Sequence, residues 1–137
     1  MNHQDPPFED IQQILGLFNK GKISNALNIS DQMLKEFPES IILYNINGAC
    51  YASLMQFDEA IEKYKQALKI NPSYADCHYN LGNAFKDQGN FDSAIESYKN
   101  ALKIKPNYAS AFNNMGNALK DQGNFDSAIE SYKNALK

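Results

Sequence analysis

Asparagine is the residue whose spacing in this chain invites a chemical reading. Asn80 and Asn114 stand 34 residues apart, and Asn83 and Asn117 repeat that interval three residues later. A side-chain amide carries a carbonyl acceptor and two N–H donors. A spaced row of such amides can pair with both the C=O and the N–H groups of an extended peptide, which recognises main chain more than side-chain sequence. Lys86 and Lys120 recur at the same interval, each followed by an aspartate, Asp87 and Asp121, that offsets its charge. Covalent chemistry has far less material. His3 and His78 are the two histidines, and neither has a recognisable acid, base or metal partner in the sequence. Cys50 and Cys77 have no second ligand pair nearby, so they read as buried thiols rather than as a disulfide framework or a zinc site. Asp92 and Glu96, with their copies Asp126 and Glu130, read as a solvated helix face. With no glycine-rich phosphate loop and no nucleophile motif, no catalytic residue, metal or cofactor is expected.

Composition narrows the partner class in the same direction. Thirteen basic and sixteen acidic residues leave a formal net charge of −3, which advertises neither nucleic acid nor a membrane surface. Although 43% of the residues are apolar, no run approaches the roughly 18 consecutive apolar residues of a membrane-spanning helix. Met1 to Asp10 holds three acids, two prolines and no apolar stretch, unlike a secretory signal, so the expected compartment is the cytoplasm.

The elements that position these residues follow from an internal repeat. Ala75–Lys103 and Ala109–Lys137 are identical at 23 of 29 positions when offset by 34. A step back of 34 sets Ala60, Tyr64, Ala67, Leu68 and Pro72 on Ala94, Tyr98, Ala101, Leu102 and Pro106. A further step aligns Ala26, Leu34 and Pro38, with Ser30 and Met33 replacing the Tyr and the Ala. The frame is therefore 7–40, 41–74, 75–108 and 109–137, one array within 1–137. Inside a repeat, His78, Leu81, Gly82 and Phe85 form one face of a helix A, and Ala94, Tyr98, Ala101 and Leu102 form one face of a helix B. Gly89 and Gly123 supply the left-handed residue that closes helix A, and Asp92 and Asp126 sit in the first turn of helix B, where the dipole favours an anion. Pro72 and Pro106 stop helix B. Gly82 and Ala94 are small enough for the two backbones to approach, with Phe85, Phe91 and Tyr98 filling the flanks. Tyr64, Tyr98 and Tyr132 read as core.

A 34-residue unit reading large–x–x–Leu–Gly–x–x–aromatic, then Ala, then aromatic–x–x–Ala, then Pro, here His78, Leu81, Gly82, Phe85, Ala94, Tyr98, Ala101 and Pro106, resembles the tetratricopeptide repeat. The resemblance covers nearly the whole chain and implies an all-α, right-handed α-solenoid of four tandem helix–turn–helix units. His78, Phe112 and Tyr44 stand where the family often has Trp, and in the first repeat Ile14 replaces the Gly.

The same resemblance implies a concave groove lined by A helices that binds a protein or peptide partner. Carried over position by position, its peptide-binding residues are Asn45, Tyr79, Asn80, Asn83, Lys86, Asn113, Asn114, Asn117 and Lys120, in a lining that grades from apolar to amide-rich. The asparagine row is similar to the ladder in the repeat domain of O-GlcNAc transferase. The carboxylate clamp of chaperone-binding members needs Lys or Arg where this chain has Asn, Tyr, Ile or Asp, so that partner is not expected. Because the sequence stops at Lys137 inside a repeat, Tyr132, Ala135 and Leu136 are expected to be exposed and available for self-association as a homo-oligomer. Alternatively more chain follows, as in the arrays preceding bacterial glycosyltransferase and sulfotransferase domains, and the segment targets a larger transferase.

Overall fold

A computed structural model describes residues 4–137. His3 lies outside the described residues. Among them the chain forms eight α-helices and no strand: α1 (Phe8–Asn19), α2 (Ile23–Glu36), α3 (Ile41–Ser53), α4 (Phe57–Ile70), α5 (Ala75–Asp87), α6 (Phe91–Ile104), α7 (Ala109–Asp121) and α8 (Phe125–Ala135). The fold is all-α, and the helices pair into the hairpins that the period of 34 predicts. The chain divides into two compact units, Met1–Pro72 and Ser73–Lys137, each holding two hairpins.

Each hairpin turns at the same point of the frame. Gly21, Gly89 and Gly123 have φ of 80°, 85° and 86°. The residue after each of them donates its N–H to a carbonyl five residues back, as in Asn90 N to Phe85 O at 2.9 Å and Asn124 N to Leu119 O at 2.8 Å, which closes helix A in a Schellman motif. In the second repeat the position is held by Met55, which adopts φ 60° without being a glycine, and Gln56 N still reaches Tyr51 O at 2.9 Å.

Inside a hairpin one contact sets the helix spacing. A Cβ built on Gly48, Gly82 or Gly116 would lie 2.6 Å from Cε1 of Tyr64, Tyr98 or Tyr132 respectively. The space above the glycine is thus taken by the tyrosine ring of helix B, which is a more specific reason for a glycine than backbone approach alone. The first repeat reverses the sizes: Ile14 stands at the glycine position and Ser30 at the tyrosine position, and both are fully buried. Large-on-A with small-on-B replaces small-on-A with large-on-B.

Within each unit, helix B of the first hairpin is covered by helix A of the second. In the second unit Ala94, Ile95 and Tyr98 of α6 pack with Ala111, Met115 and Ala118 of α7. In the first unit Ala26 of α2 shares a core with Leu43, Ile46 and Cys50 of α3 and with Ile11 and Ile14 of α1. Asn47, in the frame position of Leu81 and Met115, is also fully buried, and its Nδ2 donates to Ser30 Oγ at 2.9 Å and to Asp31 Oδ1 at 2.8 Å. Its Oδ1 has no hydrogen-bond partner.

Candidate functional site

In the second unit α5 and α7 are the two A helices, and their side chains meet through a polar network. Asn114 Nδ2 donates to Tyr79 Oη and to Asn83 Oδ1, both at 2.9 Å. The buried Tyr98 hydroxyl donates to the same Asn83 Oδ1 at 2.5 Å, and Tyr132 Oη donates to Asn117 Oδ1 at 2.5 Å. Helix B therefore reaches past its glycine to the asparagine one position further along helix A, in both repeats of the unit.

Aromatic contacts extend the cluster. Tyr79 stacks on Tyr108 with centroids 5.0 Å apart and planes at 29°, and its ring is tilted against Tyr98 at 6.1 Å. Tyr108 Oη donates to Asp76 Oδ1 at 2.7 Å, and Lys105 Nζ lies 4.5 Å from the Tyr108 ring centroid. Burial raises the phenol pKa of Tyr98, with smaller contributions from Tyr79 and Asp87, and burial together with the Asp76 hydrogen bond raises that of Tyr108. Both hydroxyls stay protonated as donors through the neutral range.

Of the residues expected to bind a peptide, Tyr79, Asn83 and Asn114 are brought together, and Asn117 belongs to the neighbouring Tyr132 pair. Asn80 and Lys86 are half-buried on α5, and Asn113 and Lys120 are exposed on α7. Asn45 is half-buried on α3 in the first unit. The row is therefore not a uniform set of free amides, because Asn83, Asn114 and Asn117 each have one end engaged inside the protein. Sequence reasoning assigned Tyr98 and Tyr132 to the core and overlooked their hydroxyls. The signal was present: each tyrosine recurs fifteen residues after an asparagine, whereas Tyr64 follows Ala49 by the same interval.

The residues read as apolar end surface divide differently. Leu136 is 89% exposed. Tyr132 and Ala135 are only half-exposed, with the Tyr132 ring against Gly116. Phe125 and Ile129 are 61% and 52% exposed and were not anticipated. Cys50 and Cys77 are buried thiols outside any disulfide, with burial, and secondarily Asp31 and Asp76, pushing them up to about 11 and about 12. Among the described residues no group of three His, Cys, Asp or Glu could hold a metal ion, and no helix is long and apolar enough to cross a membrane. Asp92, read as solvated, is exposed and accepts a hydrogen bond from Gln122 Nε2.

Helical hairpins of 34 residues with a glycine under a tyrosine define a helix–turn–helix repeat protein. Residues 48–89 and 82–123 match the family described as TPR repeat, and residues 111–137 match the one described as Tetratricopeptide repeat. The chain belongs to the tetratricopeptide repeat family. It is 32% identical over 74 residues to the probable UDP-N-acetylglucosamine–peptide N-acetylglucosaminyltransferase SEC of Arabidopsis thaliana, a match covering 54% of this chain and 8% of that protein. It is also 32% identical over 83 residues to the peroxisomal targeting signal receptor of Candida glabrata, covering 59% of this chain and 14% of the receptor. The chain thus spans only a small fraction of the curated relatives it matches. Among solved structures, a crystal structure of MamA is 27% identical with a TM-score of 0.86, covering 93% of this chain and 74% of that one. MamA from Desulfovibrio magneticus RS-1 superimposes as well, with a TM-score of 0.86 at 21% identity, over 98% of this chain and 75% of that one.

Proposed function

We propose that this chain is a protein-interaction scaffold in which the α5/α7 face of the second unit takes an extended peptide through its side-chain amides. The observation that carries the reading is the juxtaposition of Asn83 and Asn114 from neighbouring repeats, each with part of its amide engaged internally and the rest uncommitted. Asn80, Asn113 and Asn117 continue the amide-rich face, Lys86 and Lys120 add modest salt-sensitive contacts, and Asn45 supplies an amide in the first unit. The name of the peroxisomal targeting signal receptor denotes capture of a targeting signal, which is compatible with this reading. In it the chain binds and does not catalyse, in the cytoplasm. The match to 74 residues of a probable transferase is compatible with the repeats serving as the targeting part of a larger enzyme. Phage-displayed random peptides selected on the parent chain test the reading. Selected peptides should lose at least tenfold in affinity to a chain carrying Asn80→Ala with Asn114→Ala, while its helical spectrum is unchanged; equal binding by both chains refutes it.

A second reading is favoured by the outer face of α8. Phe125, Ile129 and Leu136 occupy the positions of Phe91, Ile95 and Leu102, which α7 covers. Ile61 and Ile95 are 8% and 9% exposed, and Ile129 is 52% exposed. The helix that fits such a face presents small–x–x–x–large–x–x–small, as Ala111, Met115 and Ala118 do. The same positions of α1 are Glu9, Gln13 and Gly16, so a head-to-tail stack of two copies would set polar groups on the apolar face. Self-association would therefore join two α8 faces into a closed dimer. Light scattering across a concentration series should show a dimer that Ile129→Lys or Leu136→Lys dissolves; a monomer throughout rules this reading out.

A further inference from the structure

We infer that Tyr98 is a positioning residue that fixes which end of each asparagine amide faces a ligand, so that Asn83 presents only donors and Asn114 presents only an acceptor. The inference rests on the peptide-binding reading and sharpens it: the ligand must offer a main-chain carbonyl to Asn83 and a main-chain N–H to Asn114.

An asparagine amide is nearly symmetric in shape, and its orientation is decided by the hydrogen bonds it joins. Asn83 Oδ1 accepts from Tyr98 Oη and from Asn114 Nδ2. Reversing Asn83 alone would set its NH2 group against that of Asn114. Reversing both amides would restore a bond between them, with Tyr79 Oη donating to Asn114 in place of accepting. Tyr98 Oη would then receive a hydrogen bond and its own proton would lose its acceptor. Tyr98 is completely buried, so water cannot substitute. A buried phenol therefore breaks the tie in favour of the observed arrangement. Asn83 uses only its carbonyl inside the protein, leaving both protons of Nδ2 for a ligand. Asn114 spends both Nδ2 protons on Tyr79 and Asn83, leaving Oδ1 as its outward group.

The arrangement has a chemical signature separate from any binding assay. In the ligand-free protein labelled with 15N, the Asn114 side-chain NH2 should exchange with solvent at least tenfold more slowly than that of Asn83. Tyr98→Phe removes the tie-breaking donor, and the Asn83 NH2 should then become protected as the amide reverses in part of the population. An Asn83 NH2 already protected in the parent chain, or unchanged by Tyr98→Phe, overturns the inference whether or not a peptide binds. The ligand side is tested with Asn83→Asp. It keeps acceptors for Tyr98 and Asn114 but has no outward donor, so a phage-selected peptide should lose at least tenfold in affinity while the thermal midpoint is retained. Full affinity in Asn83→Asp also overturns it. If no peptide can be selected at all, the peptide-binding reading fails and the exchange measurement still decides the amide polarity.

Discussion

Tyr98 lies against Gly82 so closely that a single methyl on the glycine would come within 2.6 Å of the ring. The ring has no room to yield, since Tyr98 is fully buried and its hydroxyl is tied to Asn83. Alanine is the better helix former by about 1 kcal/mol, yet overpacking at such a contact costs typically 1–3 kcal/mol. Gly82→Ala should therefore leave stability unchanged at best and lower it by up to about 2 kcal/mol, and Gly82→Leu should lower it further. Urea unfolding of both variants checks the order.

The size reversal in the first repeat yields a coupled prediction. Ile14 and Ser30 together fill the space that Gly82 and Tyr98 fill elsewhere. Gly82→Ile and Tyr98→Ser, each damaging alone, should be less damaging together than their sum by at least about 1 kcal/mol, within the range of contacting pairs. A double-mutant cycle in urea measures this, and simple additivity would mean that the two positions do not share one volume.

Met55 holds a left-handed conformation that its frame equivalents assign to glycine. That conformation costs an L-residue roughly 1–2 kcal/mol, partly offset by glycine's larger unfolded-state entropy. Its side chain is exposed and gives up little packing on removal. Met55→Gly should raise stability by about 0.5–1 kcal/mol, read as a later urea midpoint at constant slope.

How far the sequence carries can be judged from such positions. The period of 34 placed every hairpin, because apolar spacing and turn glycines are local signals that each repeat restates. Met55 escaped notice because the backbone angle there is imposed by the Schellman bonds around it and not by the side chain. The Asn47–Ser30 bond joins residues 17 apart on different helices in one repeat only, so no pattern announces it, whereas the Asn83–Tyr98 interval of 15 recurs as Asn117–Tyr132 and was open to reading. The asparagine row itself was visible as composition, but which end of each amide is spent depended on a hydroxyl that the apolar pattern assigned to the core.

Burial holds both cysteine thiols protonated, and the sign of the pH effect follows. The unfolded chain ionises its thiols near the ordinary value of 9.0, whereas Cys50 and Cys77 are pushed up to about 11 and about 12. Their contribution to stability is fully present below pH 9 and is lost as pH rises from there through 11 to 12, because the unfolded state releases its protons first. The raised phenols of Tyr98 and Tyr108 act in the same sense. Cys50→Ala with Cys77→Ala should flatten part of the decline in the urea midpoint above pH 9. In the parent chain at pH 8, iodoacetamide should label neither thiol faster than the protein opens.

Asn47 offers a contrast between a polar and an apolar solution at one frame position. Its unpartnered Oδ1 is a desolvated acceptor, and such a group costs about 1–3 kcal/mol. Asn47→Leu, the residue found at Leu81, should be neutral or stabilising by about 1 kcal/mol, with Ser30 still donating to Leu27 O at 3.0 Å. A loss above about 1 kcal/mol in urea unfolding would mean that the bonds to Ser30 and Asp31 outweigh the orphaned oxygen.

The stretch Phe91–Lys103 is repeated without change as Phe125–Lys137, and the two copies forming α6 and α8 differ in what covers them. The helices differ at their ends, α6 running on to a C-cap at Lys105 while α8 stops at a C-cap at Leu136 and only Asn90 makes a side-chain N-cap bond, so it is in their shared middle turns that a difference in amide protection reports the neighbouring helix. The molecule thus carries its own reference sample. Hydrogen exchange read residue by residue, Ile95 against Ile129 and Tyr98 against Tyr132, would report how much of a helix's permanence is lent to it by the repeat that comes after.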